Sequence, residues 1–537
     1  MQPHQQNNAS FWQDTQVPEF QPLREDASTD VCVIGAGIAG LLNSYVLLKN
    51  GFQVTLLERD TLGHNETSRT SAHLSNVLDE GLSRLLDNLG EDNARKAIAS
   101  HSDAIDLIEK IVEEEHIDCD FRRLDGYLYL SPETNKDYLK EEAQAAAKLG
   151  FKDVELLSSP PHFAEFGPAL RFPRQARIHS LKFINGLLKA IVGMGGKIHS
   201  KSPAVEFKDG ALPSVKTDSG HYVYARHVVV CTNVPVNDRV MIHTMEAAHR
   251  SYIIGIEVPH DAFPDILMWD TSHPYHYVRK VENHAEGKDL MLIGGEDHRV
   301  GQEDHPEAKF ETLHDWALFN LGISGPIAYK WSGQIIEPVD GLAHIGRNPG
   351  NRNTYIVSGD SGHGLTHAAV SAMVIRDLIQ QNHNEWTHIY SPSRFQVKNL
   401  GTVISVNMNM LAQYRDRIAL REELKNVSAH PGEGRLVHQG AKTFAVYTSE
   451  SNETVTLNAV CPHLGGIVHW NDAEKTWDCP CHGSRFACTG EVINGPAISG
   501  LKQAVMKKPQ EKAETIAMPD ERTEYEKAKP SDTSAER

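Results

Sequence analysis

Close to the C-terminus, Cys461-Pro462-His463 and Cys479-Pro480-Cys481-His482 set out a C-x-H and a C-x-x-H with fifteen residues between them. Two thiolates and two imidazoles on paired loops can hold iron or zinc. In a [2Fe–2S] centre of mixed ligation, Cys461 and Cys479 would take one iron and neutral His463 and His482 the other. That arrangement raises the reduction potential above that of an all-cysteine cluster and moves one electron at a time. A structural zinc ion also uses two Cys and two His. At the other end, an apolar run Val31–Ile34 leads into Gly35-x-Gly37-x-x-Gly40, a helix-like stretch to Lys49, a stop at Gly51, and a second apolar run Val54–Leu57 closed by Glu58. Glycines there permit a tight turn and close backbone approach to a pyrophosphate. The helix N-terminus favours its charge, and the acid hydrogen-bonds a ribose hydroxyl. Strand, turn, helix, strand and acid fall in register, so a dinucleotide site is expected.

The flanks decide between iron and zinc. Gly465 after the first loop, Gly483-Ser484-Arg485-Phe486 after the second, Gly490 and the turn Asn494-Gly495-Pro496-Ala497 resemble the Rieske family nearly residue for residue. Two departures stand out. Gly466 occupies the position where the respiratory branch carries a cysteine that pairs with the one inside C-P-C-H, so Cys481 lacks that disulfide partner. Phe486 stands where that branch has a tyrosine bonded to a ligand sulfur. Fewer hydrogen bonds to sulfur imply a potential toward the lower end of the Rieske range.

The dinucleotide end resembles the D-amino-acid oxidase/glycine oxidase family of FAD enzymes. The resemblance rests on Asn65–His73, His227–Asn233, Trp331-Ser332-Gly333, Pro338–Gly341, Gly346 and Ser358–Thr366, and spans about residues 29–385. It implies FAD contacts from Gly35, Gly37, Gly40, Glu58, Arg59, Ser68, Thr70, Val205, Gly359, Gly362, Gly364 and Thr366. It also implies a substrate site near His73, Tyr277 and Arg279 in a strand where relatives bind carboxylates. Arg279 either forks a substrate carboxylate or is a solvated strand arginine. His73 is either a hydrogen-bonded structural histidine or a group touching substrate or flavin. Asp360-x-x-His363-x-x-x-His367 has the spacing of a 2-His-1-carboxylate iron site, but lies inside the flavin turn, and coincidence is the reading adopted.

These residues need elements to position them. The expected fold is an α/β FAD-binding domain of the glutathione-reductase-like Rossmann type, an α+β substrate domain, and a small all-β Rieske domain. The boundaries are an N-terminal arm over 1–28, with Phe11 and Trp12 placed to dock on the core, and an FAD-dependent oxidoreductase over 29–390 with a substrate insertion at about 236–330. A helical connector over 391–424, the Rieske domain over 425–509 and a disordered tail over 510–537 follow. The 537 residues suffice for three or four domains.

A net charge of −18 argues against nucleic acid, which wants a basic face. No apolar run reaches the length of a membrane span, and the N-terminus lacks a signal-peptide pattern. Seven cysteines without a disulfide framework fit a reducing cytoplasm. The expectation is a dehydrogenase that oxidises a C–N bond of a small amine or amino acid and passes electrons through the cluster to an external acceptor. The alternatives are a flavin/Rieske reductase fed by a protein partner and a Rieske-type monooxygenase.

Overall fold

The structure, a computed structural model, describes residues 8–237, 242–394, 400–413, 430–440 and 442–506. The strand Ala27–Ile34 pairs in parallel with Val54–Leu57 and with Tyr222–Val230, setting Val31 opposite both Val54 and His227. Its last four residues are buried, as suits a central parallel strand covered on both faces. The sheet runs on to Lys197–His199 at one edge and through Thr354–Ser358 to the antiparallel His344–Arg347 at the other. Helices Ile38–Lys49 and Gly364–Gln380 pack together and are buried over most of their lengths. Both begin at glycine-rich turns, so their N-termini open on one cavity.

A second sheet has nine strands. Ile327–Pro338, Glu246–Pro259, Lys288–Arg299, His276–Ala285 and Leu267–Asp270 come from residues 246–338. Arg122–Tyr129, Ala169–Arg177, His73–Leu74 and Glu155–Leu157 come from residues 73–177. An insertion at about 236–330 therefore supplies only part of the substrate-side sheet. Leu267–Asp270 pairs in parallel with Arg122–Tyr129, Met268 opposite Tyr127, and that register draws in the strands around residues 73–177.

The last domain carries two antiparallel sheets, Glu433–Gln439 with Lys442–Thr448 and Thr454–Asn458, and His469–Asn471 with Thr476–Asp478, Arg485–Ala487 and Val492–Asn494. Trp477, Phe486 and Val468 fill its core. It is joined to the preceding part of the chain by buried charge. Glu474 accepts from Arg250 at 2.6 Å, from Arg69 at 3.3 Å and from Arg485. Arg485 also reaches Asp478 at 3.1 Å. Burial alone would raise the Glu474 carboxyl, but the three guanidiniums outweigh it and hold it at about 2.

At the N-terminus Phe11 and Trp12 are buried, and Trp12 Nε1 donates to the Thr70 carbonyl at 2.8 Å. Of the connector expected over 391–424, the helix Leu400–Gln413 is described. Residues 395–399, 414–429 and the tail over 510–537 lie outside the described residues. No helix among the described residues is long and apolar enough to cross a membrane.

Candidate active site and cluster site

One elongated cavity is lined by Gly35, Gly37, Glu58, Arg59, Thr70, His73, Tyr277, Gly359, Gly362 and Gly364. The structure thus brings together most of the residues the sequence singled out. Glu58 ends the second strand, where its carboxylate accepts from the amides of Ala36 at 2.7 Å and Asp60 at 3.0 Å. That fixes it beside the glycine turn, in position for a ribose hydroxyl. A Cβ built on Gly37 would meet only Thr67 Oγ1, at 3.2 Å, so the space in front of this turn is open. The Nδ2 of Asn233, another wall residue, is buried without a hydrogen-bond partner. A bare backbone turn at a helix N-terminus, a fixed acid and an unspent buried donor fit a dinucleotide.

At the far end the second sheet supplies Ser251, Trp269, Tyr275 and Tyr277, facing His73, Asp79 and His363. Tyr275 donates to Asp79 at 3.3 Å, and Asp79 lies 3.0 Å from His363 Nε2. His73 bonds Ser71 through Nδ1 at 2.8 Å. Burial, reinforced by Arg279, lowers it to about 3, so the ring is neutral. Asp297 sits behind this wall, pushed up to about 8 by burial and by neighbouring carboxylates.

Five expected contacts lie elsewhere. Arg279 is buried and donates to the carbonyls of Ser71, Ala72 and Ile178 at 2.9, 2.8 and 3.2 Å, with its guanidinium over the Trp12 ring. It does not line the cavity, because a buried guanidinium is taken up by carbonyl groups where the strand meets the Ser71 loop. Ser68 turns inward onto the Asn65 carbonyl, and Thr366 bonds His101 at 2.9 Å. Val205 is absent from the lining, where Ser202, Pro203 and Ala204 stand. Gly40 packs on the strand turn instead: a Cβ there would lie 1.8 Å from the Gly35 carbonyl oxygen. Asp360, His363 and His367 do not gather around one ion. His367 bonds the Asp360 carbonyl and His101, while His363 turns to Asp79.

The second site sits on two tight loops. The Gly466 carbonyl accepts from Cys461 N, and that of Ser484 from Cys479 N, each at 2.8 Å. The His463 and His482 rings face each other at 4.9 Å, nearly perpendicular. Burial, then the neighbouring rings of His463 and His243, lower His482 to about 3, which keeps it in the neutral form that binds metal. Its Nε2 is buried with no hydrogen-bond partner. A Cβ on Gly466 would lie 2.6 Å from Cys481 Sγ, so this is the position facing Cys481, and no disulfide forms there.

Residues 30–378 match the family of FAD dependent oxidoreductases, and residues 420–505 match the Rieske [2Fe-2S] domain. The chain belongs to the FAD-dependent oxidoreductase family. It carries a C-terminal Rieske domain, and its cofactors are FAD and a [2Fe–2S] cluster. The oxidoreductase is 32% identical over 498 residues to the putative Rieske 2Fe-2S iron-sulfur protein YhfW of Bacillus subtilis, covering 92% of this chain and 97% of that one. It is 25% identical to the gamma-glutamylputrescine oxidoreductase of Escherichia coli, over 67% of this chain and 86% of the relative. Its fold is also that of glycine oxidase from Geobacillus kaustophilus, with a TM-score of 0.58 at 17% identity over 69% of this chain and all of the other.

The two sites meet at residues the sequence did not single out. Gln334 lines the flavin cavity and donates Nε2 to the Gly483 carbonyl at 2.9 Å, next to His482. Gly483 has a φ of +75°, and a Cβ there would lie 2.4 Å from Gln334 Nε2 and from Ala248 Cβ, so only glycine fits. His243, just before the strand Glu246–Pro259, lies 4.8 Å from the His463 ring and 5.7 Å from the His482 ring. Glu66 and Arg69 stood in plain view inside Asn65–His73, but as charges among small residues they carried no periodic signal.

Proposed function

We propose that this protein is a dehydrogenase acting on the C–N bond of a small amine, with the electrons passing internally to the Rieske centre and then to an external acceptor. In this reading Cys461, His463, Cys479 and His482 hold the cluster. Bound FAD supplies hydride acceptance from the carbon that bears nitrogen, and the cluster supplies one-electron transfer. The observation that carries the reading is Gln334, a wall of the flavin cavity hydrogen-bonded to the loop that bears His482.

The chain's own residues orient the substrate and exclude water. Tyr275, Tyr277 and Trp269 shape the far end of the cavity, and Asp79 gives it negative character. The cavity is lined by two guanidinium groups, those of Arg59 and Arg69, and both are engaged, on the Ile493 carbonyl and on Ser332 and Glu474. With Arg279 spent on carbonyls, this end suits an ammonium group better than an α-carboxylate. The name of the Escherichia coli relative, a gamma-glutamylputrescine oxidoreductase, agrees with an amine substrate.

Anaerobic mixing with a panel of amines and amino acids tests this. The expected result is flavin bleaching by amines, followed by appearance of the reduced-cluster resonance. Bleaching with a cluster that stays oxidised would end the internal relay. Bleaching confined to α-amino acids would end the amine assignment.

A further inference from the structure

The same cavity has a wall that belongs to neither the Rossmann sheet nor the substrate sheet. Ile493, Asn494, Gly495, Ala497 and Ile498, all from the Rieske domain, line it together with the glycine turn. We propose that the Rieske domain completes the FAD site, with the turn 493–498 closing the adenosine end of the cavity.

The placement follows from contacts. Glu58 marks where a ribose hydroxyl is held, and the next residue, Arg59, donates through its guanidinium to the Ile493 carbonyl. Asn494 Nδ2 donates to Glu66 Oε1 at 2.9 Å, and Glu66 belongs to the loop that follows the glycine turn's acid. Gly495 faces Val236, since a Cβ there would lie 3.3 Å from Val236 Cγ1. Val236 and Ser202–Ala204 line this same end.

The turn is also held from behind. Ala497 N donates to Ser484 Oγ at 3.1 Å, two residues beyond His482. Ile493, Ala497 and Ile498 therefore present an apolar surface to the dinucleotide on a frame fixed by the cluster loop. Arg59 reaches FAD's neighbourhood by holding this wall rather than by an ionic bond of its own. FAD retention then depends on a domain whose chemistry is separate from flavin binding.

The test uses the full-length protein with Ile498→Asp and, separately, Asn494→Ala. Ile498 is 43% exposed, so a carboxylate fits at its position without disturbing a core. Flavin dissociation from the holoprotein is followed by fluorescence, and apoprotein is titrated with FAD and with FMN, which lacks the adenosine half. Cluster resonance is recorded on each variant, and the FAD-to-FMN ratio is read whatever the cluster content. FAD binding should weaken about tenfold, the scale of losing one half-buried isoleucine contact, while FMN binding stays at the native value. Unchanged FAD affinity and release in both variants would overturn the proposal. So would equal weakening of FAD and FMN, which would reduce the turn to a general structural role.

Discussion

Replacing Glu474 by glutamine keeps its shape and removes its charge. The carboxylate is 4% exposed and sits among Arg69, Arg250 and Arg485. Its drop from 4.5 to about 2, at about 1.4 kcal/mol per pH unit, is worth about 3 kcal/mol. That agrees with the roughly 3–5 kcal/mol lost when one partner of a buried ion pair is removed, and it is a large part of a typical total of about 5–15 kcal/mol. The sign of the pH dependence is fixed. A folded value below the unfolded one gives stabilisation that is complete above about pH 4.5 and lost as the pH falls toward 2. Urea unfolding read by tryptophan fluorescence, with Trp477 in the Rieske core, should show Glu474→Gln destabilised by about 3 kcal/mol at pH 7. At pH 3 the gap between the two proteins should shrink to less than about half. A variant as stable as the native protein at pH 7, or an equal gap at both pH values, would refute the account of the network.

The other predictions are independent of it. Gly37→Val should fill the open space before the glycine turn and abolish FAD binding, leaving the cluster resonance in place; a variant with full flavin absorbance would contradict the assignment. Arg279→Met should lower stability by about 1–3 kcal/mol through three carbonyls left without their donor, measured by thermal melting. It should leave KM for amines and amino acids unchanged relative to each other, and a selective rise for carboxylated substrates would return Arg279 to the substrate site. In Cys479→Ser the softer thiolate ligand is lost, so the cluster should not assemble. Substrate should still bleach the flavin once, while turnover with a one-electron acceptor collapses. Normal acceptor turnover in that variant would show electrons leaving the flavin directly.

The sequence made legible what is local. The Cys and His loops, the Gly35–Gly40 turn and Glu58 each need particular residues at fixed short spacings, and the chemistry follows from those spacings. What it hid arises between distant segments. The alternation around Arg279 said that it lay on a strand, but not that the Ser71, Ala72 and Ile178 carbonyls would converge on its guanidinium. The strand Arg122–Tyr129 has its parallel partner, Leu267–Asp270, far along the chain, and that pairing leaves no mark in either segment. The Asn494–Ala497 turn stood out as a Rieske feature, yet nothing in it indicated that its outer side would face a flavin cavity. Buried ionic groups such as Glu474 and Arg485 look, in a sequence, like any solvated pair on a short strand.

Gly483 touches Gln334 and Ala248 so closely that no side chain fits between them, and Glu474 clamps the same face. The two redox centres are therefore held at a constant separation. In the proposed relay the step between them needs no search, no collision and no encounter complex; it would be a first-order event whose clock is a tunnelling distance. Its rate should be indifferent to protein concentration, ionic strength and solvent viscosity. Under the proposed function, any dependence on these variables in steady-state turnover would report the later meeting with the external acceptor.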